Sequence, residues 1–171
     1  MRGIGLAVRY LIKPIVIALL ALLCAVFIRG YGAYMKRRAL ESRDILHLLE
    51  SLRKGMSVSL STPREAFSTA TVSAPSVERF SALVCSGEPL YEAFCSASHA
   101  MSISRACREM LLEYFSSFGK GYLQDEIRCA DELTERYTSL IENEERCGAN
   151  DFRVVKSIAV AVTLGVIILI I

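Results

Sequence analysis

The sequence has no tryptophan, only four prolines and only two histidines in 171 residues. Scarce proline and the lack of any stretch alternating convincingly with period two argue against a sheet and leave helices as the expected structure. The two histidines, His47 and His99, are not read as parts of a metal box. His47 falls on the charged side of a helical stripe, where a solvated surface group is expected. A phosphate loop is missing as well. Gly119-x-Gly121 is too short, and no Lys-Ser/Thr follows Gly121. No Gly-x-Ser-x-Gly occurs. The formal net charge of +2 implies neither a nucleic-acid binder nor an acidic tail. The acidic doublets Asp125-Glu126, Asp131-Glu132 and Glu144-Glu145 lie in a helix rich in charge, and a solvated face explains them better than acid–base chemistry. The expectation is a protein with no enzymatic activity, no metal and no cofactor.

Cysteine is more plentiful. Cys24 lies in an apolar run, which leaves Cys85, Cys95, Cys107, Cys129 and Cys147. An odd number cannot all pair within one chain, and none are at C-x-x-C spacing. They are read as small buried apolar side chains in a reducing compartment. The competing reading is one or two structural disulfides outside the cytoplasm.

The excess of apolar residues, 53% of the chain, sits at the two ends. Pro14 to Ile28 carries no charge, and as a helix it rises roughly 22 Å against a hydrocarbon core of ~30 Å. It becomes long enough if Leu11, Ile12 and the residues from Gly30 to Met35 join it, with Lys13 and Arg29 snorkelling to the interfaces. Tyr31 and Tyr34 suit an interfacial belt. A cleaved signal peptide is the alternative, since Arg2, Arg9 and Lys13 precede the apolar run. Lys36, Arg37 and Arg38 behind it look instead like a stop-transfer flank. Val154 to Ile171 is apolar apart from Lys156 and two hydroxyl residues, and membrane insertion is expected there too. The expected division is a membrane segment at 1–35, a helical domain at 36–150 and a second membrane segment at 151–171. Basic residues crowd the domain-facing flanks, so the positive-inside bias places the domain in the cytoplasm.

Within the domain, Ile45, Leu48, Leu49, Leu52 and Met56 recur at helical spacing, and Gly55 can end the first helix. Thr62-Pro63 reads as N-cap and first residue of a short helix reaching Ala70. Ala74-Pro75 opens another, with Val77, Phe80, Leu83 and Val84 inward. Gly87-Glu88-Pro89 opens a fourth, with Leu90, Ala93 and Phe94 inward. Ser102 can cap a longer one that buries Ile103, Cys107, Met110, Leu111, Tyr114 and Phe118 before Gly119 and Gly121 break it. The last helix buries Leu123, Ile127, Ala130, Leu133, Tyr137, Leu140 and Ile141, and Gly148 and Asn150 are positions for a bend. The predicted fold is all-α: a six-helix antiparallel bundle with N-terminal and C-terminal transmembrane helices. Leu49, Phe80, Phe94, Met110 and Tyr114 are expected in its core.

Charge is distributed unevenly. Lys36 to Lys54 holds six basic and three acidic residues, and Asp125 to Arg146 holds eight acidic and three basic. Lys36–Arg38 is expected near Glu142–Glu145. Mutual neutralisation is one reading; docking of a basic partner by the acidic face, through Asp125, Asp131 and Glu132, is the other.

The order of these features resembles the stage III sporulation protein AB family of endospore-forming bacteria. The matching features begin with the membrane segment running into a helix with Arg38, Leu46, Leu49 and Leu52. They continue with Thr62-Pro63-x-Glu65-Ala66, Pro89-Leu90-x-Glu92-Ala93-Phe94, Phe118-Gly119 and the long charged helix entering an apolar tail. The family has an acid where this chain has Tyr122, and a Gln for which Gln124 or Glu126 must stand in. The resemblance implies a soluble domain like the six-helix cytoplasmic domains of type II secretion F-type platform proteins. It implies a scaffold in a complex linking mother cell and forespore, in the mother-cell membrane with other stage III A channel proteins. A hexameric stage III AA-like ATPase is the implied partner, and a homo-oligomer is left open. Docking is then expected on Thr62–Ala70, Gly87–Phe94 and Phe118–Gln124. The alternatives are a structural or regulatory helical membrane protein outside sporulation and an extracytoplasmic disulfide-bonded sensor domain.

Overall fold

The computed structural model describes residues 3–170, with side chains described for 15–58 and 60–168. It contains six α-helices and, among the described residues, no strand. They are α1 (Gly3–Lys54), α2 (Pro63–Thr69), α3 (Pro75–Ser86), α4 (Leu90–Ser98), α5 (Arg105–Ser117) and α6 (Leu123–Ile170). A π-helical turn, Gly55–Ser59, follows α1.

Each start has a local cause. Thr62 and Glu65 form a reciprocal capping box at α2: the Glu65 amide donates to Thr62 Oγ1 at 3.4 Å and the Thr62 amide to Glu65 Oε2 at 2.9 Å. Pro63 and Pro75 occupy first helical positions, where a missing N–H costs nothing. Gly55 does not simply stop α1. A Cβ there would come within 3.1 Å of Ala66 Cβ, so glycine is what lets α2 approach. The cap of α5 differs from expectation: Ser104, not Ser102, accepts from the Cys107 amide at 3.1 Å. The Ser102 amide is already committed to the Glu41 carboxylate. Helix α6 runs without interruption through Gly148 and Asn150, because one interior glycine costs only about 1 kcal/mol against alanine.

The chain divides into two units. One is Lys36–Glu145 and holds the whole core; the other comprises the end segments up to Met35 and from Arg146.

In the Lys36–Glu145 unit, Ile45, Leu48, Leu49 and Leu52 of α1 meet Val77 and Phe80 of α3, Phe94 of α4, Leu111 and Phe115 of α5 and Tyr137 of α6. Phe80 joins Phe67, Phe94 and Phe115 at centroid distances of 5.5, 5.4 and 5.6 Å, in edge-on or tilted contacts that suit aromatic quadrupoles. Leu49, Phe80, Phe94 and Tyr114 are buried. Met110 is not; it is half-buried, because it borders a surface cleft beside Glu113, Glu132 and Arg136. Leu123 is likewise exposed, being the first residue of α6 rather than part of its buried stripe. Among the cysteines only Cys107 is a buried filler; Cys129 and Cys147 are exposed and all six are thiols.

The end-segment unit contains a stretch of α1 long and apolar enough to cross a membrane, near the N-terminus. Ile15, Leu19, Leu22, Leu23, Val26 and Phe27 are all exposed on it, a surface that water would penalise and hydrocarbon would not. Among the described residues, no second helix meets the same test of length and composition.

Candidate functional site

Three separate stretches converge on one groove of about 440 Å³ in the Lys36–Glu145 unit. Thr62, Pro63 and Arg64 open α2, Gly87 to Tyr91 link α3 to α4, and Phe115, Ser116 and Phe118 end α5. The floor is apolar: Leu90 and Phe115 belong to the core, and Phe118 stacks edge-on against Tyr114 at 5.7 Å. Arg64 and Glu88 are its charged walls. The groove therefore brings together parts of all three stretches on which docking was expected.

Its surroundings in the chain are unusually apolar for a surface. Tyr91 is 44% exposed, Leu60 72% and Tyr122 85%. Leu60 also adopts a left-handed backbone, φ 51°, rare for a branched apolar residue. Its amide donates to the Gly55 carbonyl, as does that of Ser61 at 3.0 Å, so the closing π turn imposes the conformation. Such strain costs on the order of 1–3 kcal/mol and here holds a leucine out in solvent.

The α5–α6 turn is fixed by one carboxylate. Glu126 Oε1 accepts from the Gly119 amide at 2.9 Å and the Gly121 amide at 3.1 Å. Gly119 has φ 80°, which a side chain would resist. Between Gln124 and Glu126, it is thus Glu126 that serves the turn.

The three acids singled out for partner binding are not equivalent. Asp131 is held by Arg53 at 3.0 Å, and Asp125 is 3.5 Å from Arg128. Glu132 is exposed, at the cleft with Met110 and Arg136. None of them lines the groove. Arg38–Glu144 at 2.8 Å and Arg43–Glu145 at 2.9 Å add to the internal pairing of α1 with α6. Part of the charge asymmetry is therefore neutralised within the unit, at no more than about 1 kcal/mol per exposed pair. Asp131 is still about half exposed in its pair with Arg53.

Two acids that periodicity passes over matter more to the architecture. Glu41 and Asp44 are buried on α1. Glu41 accepts from Arg37 Nε at 2.9 Å, from Ser76 Oγ at 2.6 Å and from the Ser102 amide. Arg37 also donates to the Ala100 carbonyl at 3.0 Å. Asp44 Oδ2 accepts from the Ser73 and Ala74 amides at 2.7 and 2.6 Å. Ala74, the N-cap of α3, has no side chain that could cap, and Asp44 of α1 instead fixes the two residues that lead into Pro75. Both connections that carry the short helices are thereby tied to α1. The signal was present: Glu41 lies four residues before Ile45 and seven before Leu48, on the apolar stripe itself.

The ionisable groups of the interior do not suggest chemistry. Burial pushes the Tyr137 phenol well above its usual range, and the nearby Ser42 hydroxyl offsets little of this; the Tyr137 oxygen has no hydrogen-bond partner of acceptable geometry. Tyr114 is raised by burial first and by Glu126 and Cys129 second. Burial raises the Cys107 thiol, which Ser104 only partly opposes, and this keeps it unreactive. Among the described residues no group of three His, Cys, Asp or Glu could hold a metal.

A family model described as stage III sporulation protein AB (spore_III_AB) matches residues 13–171. No curated protein sequence and no solved structure matches the chain.

Proposed function

This chain belongs to the stage III sporulation protein AB family and is a stage III sporulation protein, and we propose that it works without enzymatic activity, as a membrane scaffold that docks a cytoplasmic hexameric ATPase of the stage III AA type. In this reading both end segments cross the mother-cell membrane, the Lys36–Glu145 unit lies in the cytoplasm, and the chain is part of the channel complex between mother cell and forespore. The unit is then the counterpart of the six-helix domains of F-type secretion platforms, with α1 and α6 antiparallel as their ion pairs suggest.

The observation that carries the docking part is the groove. Residues from α2, the α3–α4 link and the end of α5 meet on an apolar floor. Exposed Tyr91 in its lining, with exposed Leu60 and Tyr122 close to the lining residues in the chain, supplies large side chains from which hot spots are drawn. Exposed acids such as Glu132 and Glu135 would speed association with a basic ATPase surface more than they would tighten it.

The test is affinity between purified full-length protein and the cognate ATPase. Tyr91→Ala combined with Leu60→Ser should weaken binding at least about tenfold, a typical loss at a hot spot. Unchanged binding in that variant, together with loss on changing Lys36, Arg37 and Arg38, would put the contact elsewhere.

A further inference from the structure

Eight cations flank the apolar stretches: Arg29, Lys36, Arg37, Arg38 and Arg43 on α1, and Arg146, Arg153 and Lys156 on α6. Sequence treats them alike, but the structure separates them. Arg37, Arg38 and Arg43 are spent on Glu41, Glu144 and Glu145. Arg29, Lys36, Arg146, Arg153 and Lys156 are exposed and make no ion pair among the described residues. All but Lys36 belong to the end-segment unit. Among the described side chains, that unit carries Arg29, Arg146, Arg153 and Lys156 against a single carboxylate, Asp151.

Ring contacts mark the stretch of chain in which these cations occur. Tyr31 stacks on Phe152 at 6.0 Å with planes 2° apart, and Phe27 stacks on Tyr31 at 6.5 Å. Arg29 lies between Phe27 and Tyr31 in the chain, Arg153 directly follows Phe152, and Lys156 comes one helical turn later. Past this layer the surface turns apolar: Val26, Phe27, Val154 and Ile158 are each more than half exposed. Aromatic rings of this kind settle at the headgroup level of a bilayer. Cations at that level, bordering hydrocarbon and paired with no carboxylate, need a counter-charge from outside the chain.

We propose that Arg29, Arg153 and Lys156, which neighbour the stacked Tyr31–Phe152 pair in the chain, bind the phosphate headgroups of anionic phospholipids. The proposal rests on the reading that both end segments lie in the bilayer. Long side chains let the cations reach outward to phosphate while their stems cover the apolar surface. The paired arginines contribute little, because their charge is already answered by Glu41, Glu144 and Glu145. This places most of the anion preference on the end segments themselves.

The test uses the full chain in phosphatidylcholine vesicles doped with spin-labelled phosphatidylglycerol or spin-labelled phosphatidylcholine, reading the motionally restricted lipid by electron paramagnetic resonance. A preference for phosphatidylglycerol of several fold at low salt is expected, since each cation near the surface is worth about fivefold before screening. The triple variant R29Q/R153Q/K156Q should bring the two lipids close to equal association, R153Q alone should lower the preference, and R105Q on α5 should not. Equal association of both lipids with the unaltered chain, or a preference retained by the triple variant, would overturn the proposal. Loss of the preference on adding inorganic phosphate, but not chloride at matched ionic strength, would mark a free-anion site and overturn the lipid assignment. Restricted lipid of neither kind would show that the segments are not in the bilayer, and would sink the spanning reading along with this one.

Discussion

Replacing Asp44 with alanine tests the way this fold is tied together. The carboxylate is 5% exposed and receives two amides, from Ser73 at 2.7 Å and Ala74 at 2.6 Å. Hydrogen bonds to a charged group are worth about 1.5–3 kcal/mol each. Part of that is returned on substitution, because a carboxylate no longer has to be desolvated. Losing an ordinary N-cap costs about 0.5–2 kcal/mol. Here a second donor is stranded and a negative charge is removed from a helix N-terminus, which adds about 0.3–1 kcal/mol. The expected net loss is about 2–4 kcal/mol, a large share of the ~5–15 kcal/mol that holds a typical domain. Asp44→Asn keeps an oxygen in place without the charge and should lose about half as much. Urea unfolding of the fragment 31–150, which contains the whole core, gives both values. Amide exchange at Ser73 and Ala74 should rise in the alanine variant. A loss under about 0.5 kcal/mol with both amides still protected would refute the idea that α1 anchors the chain entering α3.

Leu49→Ala should cost about 2–5 kcal/mol, because a cavity opens at a 3% exposed site, whereas Met110→Ala at the half-buried cleft should cost clearly less; equal losses would mean that the α5 register is wrong. Tyr114 and Tyr137 are held above the ordinary phenol range, so the unfolded chain gives up these protons first as pH rises. Their contribution is complete below the unfolded value of ~10 and is lost as pH climbs from there towards the folded values, at about 1.4 kcal/mol per pH unit for each tyrosine. Tyr137→Phe should remove about half of that slope in alkaline urea titrations, and an unchanged slope would count against its burial. Cys129 is exposed on α6, so an impermeant maleimide should miss it in intact cells and label it after permeabilisation; labelling from outside would reverse the proposed orientation.

Much of the fold could be read from local chemistry. Thr62-Pro63, Ala74-Pro75 and Pro89 each precede a helix because a proline without an N–H suits a first turn, and the apolar stripes of α1, α3 and α4 face the core as their spacing requires. The misses share one cause: they depend on partners distant in sequence. Ser102 resembles a cap until Glu41, 61 residues earlier, takes its amide. Glu41 and Asp44 look like surface acids until the connections before α3 and α5 fold over them. Leu60 carries no turn residue's signature, and only closure of the π turn shows why it is left-handed and exposed. For the site, the three stretches could be named from sequence, but not that they meet in one groove, because no local pattern fixes how short helices pack.

The most direct test of ATPase docking is site-specific photocrosslinking in sporulating cells, with a photoreactive residue at position 91 in the groove, at position 105 on the outer face of α5, or at position 36 at the edge of the Lys36–Glu145 unit. Docking in the groove predicts an adduct with the stage III AA-type ATPase from position 91 and none from positions 105 or 36. An adduct from position 36 alone would contradict it.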